Sequence, residues 1–164
     1  MEARVLPSLI GLFVAVHGAA SDTAPPVSCA ARRATSSPVA FVAVAASGAR
    51  DTVVRAMVCV RLPASSKAKI GSYHGELHFD STSVGDVHVQ KAEGGMRVEN
   101  ATIPGQVNFA GAAPAGFPDG ALVSVVLRLR TPGVRPTLRL QLMELNTTEG
   151  ADLMKHLTLS PPTP

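Results

Sequence analysis

From Gly75 to Leu129 the chain is a series of short alternating or apolar runs, each closed by Gly, Pro, Asp or Ser. GELHFDSTSVGDVHVQKAEGG is followed by IPGQVNFAGA and then by GALVSVVLRLR. Side chains of period two, punctuated by turn residues every few positions, are the pattern of strands and hairpins. No segment combines a 3.6-residue apolar period with helix caps. This stretch therefore restricts the chain to an all-β architecture.

The same reading extends along the chain. Strands are expected over Val39 to Ala46, Thr52 to Leu62, Ile70 to Asp80, Val84 to Gln90, Met96 to Ile103, Val107 to Ala110, Ala121 to Arg130, Thr137 to Leu145 and Met154 to Leu159. Gly111 to Asp119 is expected to be a loop, and Asn146 to Asp152 a polar hairpin turn. Alternation places Val54, Ala56, Val58, Val60 and Leu62 on one face of the second strand. Tyr73, Leu77 and Phe79 share a face of the third. Val123, Val125, Leu127 and Leu129 point inward later, as do Leu138, Leu140 and Leu142. Eight or nine such strands predict a two-sheet sandwich with one core. With 164 residues and a hydrophobic fraction of 46%, the chain can fill that core.

The N-terminus differs from the rest. Arg4 opens a short basic region offset by Glu2, and Leu9 to Val16 (LIGLFVAV) is an apolar run of signal-peptide size, too short to span a bilayer. Gly18-Ala19-Ala20 supplies small residues for cleavage. An N-terminal strand or a membrane anchor is the alternative, but the polar, proline-bearing segment Ser21 to Pro26 follows at once, as a cleaved signal requires. The expected organisation is a signal at 1–20, a linker at 21–38, a β-sandwich at 39–159 and a tail at 160–164. The processed chain would be secreted, periplasmic or displayed on the cell surface, with no stable membrane span.

Export bears on Cys29 and Cys59, the two cysteines. In an oxidising compartment such a pair closes. Arg55, Met57, Cys59 and Arg61 lie on the face opposite the apolar stripe of their strand, where the N-terminal tail can reach Cys59. A Cys29–Cys59 disulfide is expected, with two unpaired thiols as the alternative.

Three segments also resemble the bacterial cohesin modules of cellulosomes and their carbohydrate-binding-module relatives. Phe79-Asp80-Ser81-Thr82-Ser83-Val84 resembles the family's aromatic-Asp-Pro turn, with Ser81 in place of Pro and Val84 in place of Leu. Pro104-Gly105-Gln106-Val107-Asn108-Phe109 matches its Pro-Gly-x-Val-x-Phe segment, and Gly120-Ala121-Leu122 its Gly-x-Leu strand start. The resemblance covers about Val39 to Leu159 and implies a nine-stranded jelly-roll sandwich. It further implies a non-catalytic module holding a dockerin-like protein on one face. The matched residues are turn and core residues, so no contact residue is carried over.

Candidate chemistry is sparse. His74, Glu76 and His78 share one face of a strand, and the two histidines lie about 13 Å apart along it, too far to share an ion. His88 on the following strand is placed to face His78, which with a carboxylate would make a metal site. The blander alternative, a polar face or partner surface, is favoured, and no metal or cofactor is expected. No nucleophile-base-acid constellation stands out, so an enzyme is not expected. The net charge of +3 is spread out and no Lys or Arg run tracks a phosphate backbone, which argues against nucleic acid. Asn100-Ala101-Thr102 and Asn146-Thr147-Thr148 fit the N-glycosylation pattern.

Two partners remain: a protein held on the His74–Glu76–His78 face, or a polysaccharide. Sugar platforms use exposed aromatic rings. Trp is absent and Tyr73 is the lone tyrosine. Phe117, in the expected Gly111–Asp119 loop, is the one candidate for an exposed ring.

Overall fold

A computed structural model of the chain describes residues 27–31, 36–45, 48, 50–90, 94–117 and 120–162. The expected signal, its cleavage point at Ser21, most of the expected linker and the last two residues of the tail lie outside them. Among the described residues there are nine strands: β1 Val39–Val44, β2 Val53–Arg61, β3 Ile70–Phe79, β4 Val84–Gln90, β5 Met96–Asn100, β6 Gln106–Phe117, β7 Ala121–Leu129, β8 Leu138–Thr147 and β9 Thr158–Leu159. They form a five-stranded sheet in the order β4-β7-β2-β1-β9 and a four-stranded sheet in the order β5-β6-β3-β8. All pairs are antiparallel except β1 with β9. The architecture is a jelly-roll sandwich, as expected.

Period-two alternation decides the packing. Val54, Ala56, Val58 and Val60 of β2 meet Val123, Val125 and Leu127 of β7, and face Tyr73, Leu77, Val107, Phe109, Leu142 and Leu145 of the opposite sheet in one buried cluster. Leu62, Phe79 and Leu140, also expected inward, are half-buried against it. The aromatic-Asp turn between β3 and β4 is closed by Asp80. Its carboxylate accepts hydrogen bonds from the Thr82 amide (2.9 Å) and hydroxyl (2.8 Å). The Thr82 amide, and then its hydroxyl, hold the Asp80 carboxyl below its ordinary pKa.

A second cluster lies on the other face of the five-stranded sheet. Cys29, Val39, Phe41, Ala43 and Cys59 are buried there, with Val27, Met57 and Ala121 against them. Residues 27–31 fell within the expected linker, yet Cys29–Ala31 forms a 3-10 turn. A Cys29–Cys59 disulfide, with Cα atoms 5.5 Å apart, fastens it to β2. Arg61 also donates to the Ala30 carbonyl (3.3 Å). Without this turn, Phe41 would be an apolar ring on an open sheet face.

Two expectations are corrected. Residues 111–117 are not loop: β6 continues through them to Phe117. The small residues Gly111, Ala112 and Ala113 lack a loud strand signature, but Val107, Phe109, Ala113 and Phe117 are all buried. Pro114 falls where the β3–β6 register shifts, between the paired residues Ala112 and Phe117. The expected final strand over 154–159 is a 3-10 turn, Met154–His156, followed by the two residues of β9.

Candidate functional site: the outer face of the four-stranded sheet

Strand register assembles this surface residue by residue. Glu76 of β3 lies between Asn108 of β6 and Gln141 of β8, and Asn108 continues to Asn100 of β5. The next row runs Val98, Ala110, His74, Glu144. The row beyond runs Met96, Ala112, Ser72, Asn146. His78 pairs with Gln106 on one side and Arg139 on the other. His74, Glu76 and His78 thus share one solvent-facing surface four strands wide.

The surface has two halves of different character. On β3 and β8 it is polar and internally tied. His78 Nε2 lies 2.9 Å from Glu76 Oε2. Glu144 Oε1 accepts from the Ser72 hydroxyl (2.8 Å) and from Asn146 Nδ2 (2.9 Å), and Asn146 Nδ2 also approaches Ser72 Oγ (3.2 Å). On β6, Gln106 donates to Asn108 Oδ1 (2.7 Å). Such contacts add at most about 1 kcal/mol each to stability, but they limit the rotamers the face presents. A register shift at His74/Gly75 leaves Met143 as an extra, exposed residue on β8.

On β5 and β6 the face is apolar. Met96 is 76% exposed and Val98 71% exposed, the highest values among the large hydrophobics of the described residues. Ala110 and Ala112 beside them are small, so the two side chains stand above a shallow strip. The pairing of a desolvatable apolar stripe with ordered polar groups is the anatomy of a protein-contact surface.

Arg97 fixes the position of β5. It sits between Met96 and Val98 on the opposite side of the strand and reaches across the interior. Its Nη1 donates to the Leu122 carbonyl (2.6 Å) and to Tyr73 Oη (3.1 Å), and its guanidinium lies 4.6 Å from the Phe117 ring centroid. Tyr73 in turn donates to the Leu122 carbonyl (2.7 Å). Burial pushes the Tyr73 phenol up to about 12, with Arg97 working against it and Glu99 adding to it.

Two sequence expectations fail at this level. Phe117 is not an exposed ring. It is 5% exposed and packs 4.9 Å from the Tyr73 centroid, because β6 carries it to the inner face. His88 does not face His78. Its strand β4 crosses to the other sheet, where His88 pairs with Val126. Among the described residues no three His, Cys, Asp or Glu side chains group closely enough to hold a metal ion. No helix among them is long and apolar enough to cross a membrane. Met96 and Val98 were missed by sequence reasoning. Their alternation with Arg97 and Glu99 was visible, but not which side faced water.

No protein-family model and no curated protein matches the chain. Solved structures do. A type I cohesin of Clostridium thermocellum, determined in a cohesin–dockerin complex, superposes with a TM-score of 0.52 at 10% identity, covering 77% of this chain and 99% of that one. A non-cellulosomal cohesin of the archaeon Archaeoglobus fulgidus gives a TM-score of 0.49 at 17% identity, covering 77% and 86%. The sandwich described above is of the cohesin type.

Proposed function

We propose that this chain is an exported, non-catalytic module that holds a protein partner on the outer face of its four-stranded sheet, as cohesins hold dockerins. The observation that carries the reading is the division of that face. The tied groups Glu76–His78 and Ser72–Glu144–Asn146, with His74 and Arg139 on the same face, lie beside the exposed Met96–Val98 stripe. The cohesin-type fold adds support, since one solved structure similar to this chain is of a cohesin–dockerin complex. A sandwich spanning 39–159, preceded by a leader over 1–20 and by a segment over 21–38 that is linker apart from the docked Cys29–Ala31 turn, is part of the same proposal. So is display outside the cytoplasm. The polysaccharide reading rested on Phe117 as an exposed ring, and that support is gone.

The test is capture from the secreted fraction of the source organism on immobilised protein. Bound proteins are identified by mass spectrometry. The triple variant His74→Ala, Glu76→Ala, His78→Ala should stay cooperatively folded, because His74 is exposed and the half-buried Glu76–His78 pair on this solvent-facing side is worth at most about 1 kcal/mol. It should lose the partner. The control His88→Ala, Arg128→Ala, on the outer face of the other sheet, should keep it. Equal capture by the triple variant removes this face from the proposal.

A further inference from the structure

The sandwich has four sheet edges, and three of them are blunted. β9 is two residues long and runs into Pro161-Pro162. β4 carries a register shift at Val84/Asp86 and presents Asp86 and His88. The end of β8 is covered by the returning chain, with Thr147 N–H donating to the Ala151 carbonyl and Leu153 N–H to the Leu145 carbonyl (both 2.9 Å). Among the described residues no register shift interrupts β5 and no returning segment is hydrogen-bonded to it, and its two charges, Arg97 and Glu99, are of opposite sign on the inner side. Its five residues, MRVEN, pair with β6 in unbroken register and contain no Pro, Lys or bulge. Its exposed side bears Met96 and Val98. An edge of this kind is a template for another strand.

We propose that the strand it takes is β5 of a second copy, antiparallel about a two-fold axis through Val98. The sequence is self-complementary in that register. Met96 of one copy lies opposite Asn100 of the other, the two Val98 side chains face each other, and Arg97 lies opposite Glu99 on the inner side. Glu99 supplies the second observation. It is half-buried, and among the described residues no cation pairs with it. In the two-fold arrangement each Glu99 meets the Arg97 of the other copy, whose place is already fixed by the Leu122 carbonyl. Opposite charges directly across an antiparallel pair stabilise it, and like charges oppose it. The two four-stranded sheets then join edge to edge into one of eight strands, with the apolar stripes side by side. The proposed partner face is extended rather than covered. This inference does not depend on the function proposed above, since it concerns the chain alone.

Five residues per copy bury less than the roughly 800 Å² of a standard interface, so the dimer is weak, half-formed at about 0.1–1 mM. Sedimentation velocity of the purified chain, from about 5 µM to about 1 mM, should show a sedimentation coefficient that rises with concentration. Val98→Lys places two like charges on the axis, and Glu99→Arg places Arg against Arg. Each should weaken association at least about tenfold while leaving the melting curve cooperative. Met143→Lys, on the β8 edge of the same sheet, should associate like wild type. A wild-type chain that stays monomeric throughout overturns the proposal. So does a dimer that Val98→Lys and Glu99→Arg leave unchanged.

Discussion

Tyr73 and Arg97 show how much of this fold hangs on single polar atoms placed among apolar ones. Tyr73 of β3 and Arg97 of β5 belong to the four-stranded sheet, and Leu122 of β7 belongs to the five-stranded one. The phenol of Tyr73 and the guanidinium of Arg97 converge on the same Leu122 carbonyl and so fasten one sheet to the other. The phenol is neutral when it does this, and burial keeps it neutral to about 12, above the usual value near 10. A folded state that holds its proton to higher pH than the unfolded state loses stability as pH rises between those values. The contribution is therefore complete below about pH 10 and lost as pH rises through about 12, by on the order of 2–3 kcal/mol. Denaturant unfolding at a series of pH values from 8 to about 12 should show wild type falling more steeply than Tyr73→Phe over that window. At pH 8 the same variant should be less stable by about 1–3 kcal/mol, because the hydroxyl both donates to the Leu122 carbonyl and accepts from Arg97. Parallel pH profiles for the two proteins would refute the assignment.

At the level of elements, the strands whose bounds were read most closely were those whose two faces differ in chemistry. β2, β4 and β7 were found within a residue or two because β-branched and leucine side chains alternate with polar ones along them. The second half of β6 was missed because Gly111, Ala112 and Ala113 show no such contrast. The structure explains the smallness: a Cβ on Gly111 would lie 2.5 Å from the Tyr73 ring. What looked like loop composition is clearance for an aromatic side chain, and the same error turned Phe117 outward. The N-terminal turn was hidden differently. Cys29–Ala31 has no regular pattern, and only the pairing of Cys29 with Cys59 reveals that it is held. Closing a loop across 30 residues of sequence should contribute about 3–4 kcal/mol by the chain-entropy model. Unfolding midpoints with and without reductant, or of Cys29→Ser, Cys59→Ser, should differ accordingly. Mass spectrometry of non-reduced peptides should show the cross-link. The expected loss includes the cover over Phe41, so the variant should also bind an apolar dye more strongly.

For the molecule as a whole, the fold was legible and the site only half so. His74, Glu76 and His78 were placed on one face from period two alone, but a single strand does not reveal its neighbours. Met96 and Val98 joined that face through two intervening registers, and His88 left it because β3 and β4 lie in different sheets. Crossovers of this kind are set by how two sheets close over a core, which no local pattern records. The assembled face has separable halves, and they should act on different steps of partner capture. Charged groups at the margin of an interface steer approach, whereas apolar side chains that become buried resist departure. With the captured partner immobilised, and the chain supplied at nanomolar concentration where self-association is negligible, Glu76→Gln, Arg139→Gln should chiefly alter the association rate. It should also flatten that rate's dependence on salt. Met96→Ala, Val98→Ala should leave association within about threefold and raise the dissociation rate at least about tenfold, since burying two such side chains is worth a few kcal/mol before ordering costs. If both pairs change only association, the apolar stripe lies outside the contact and the partner sits on the β3–β8 half alone.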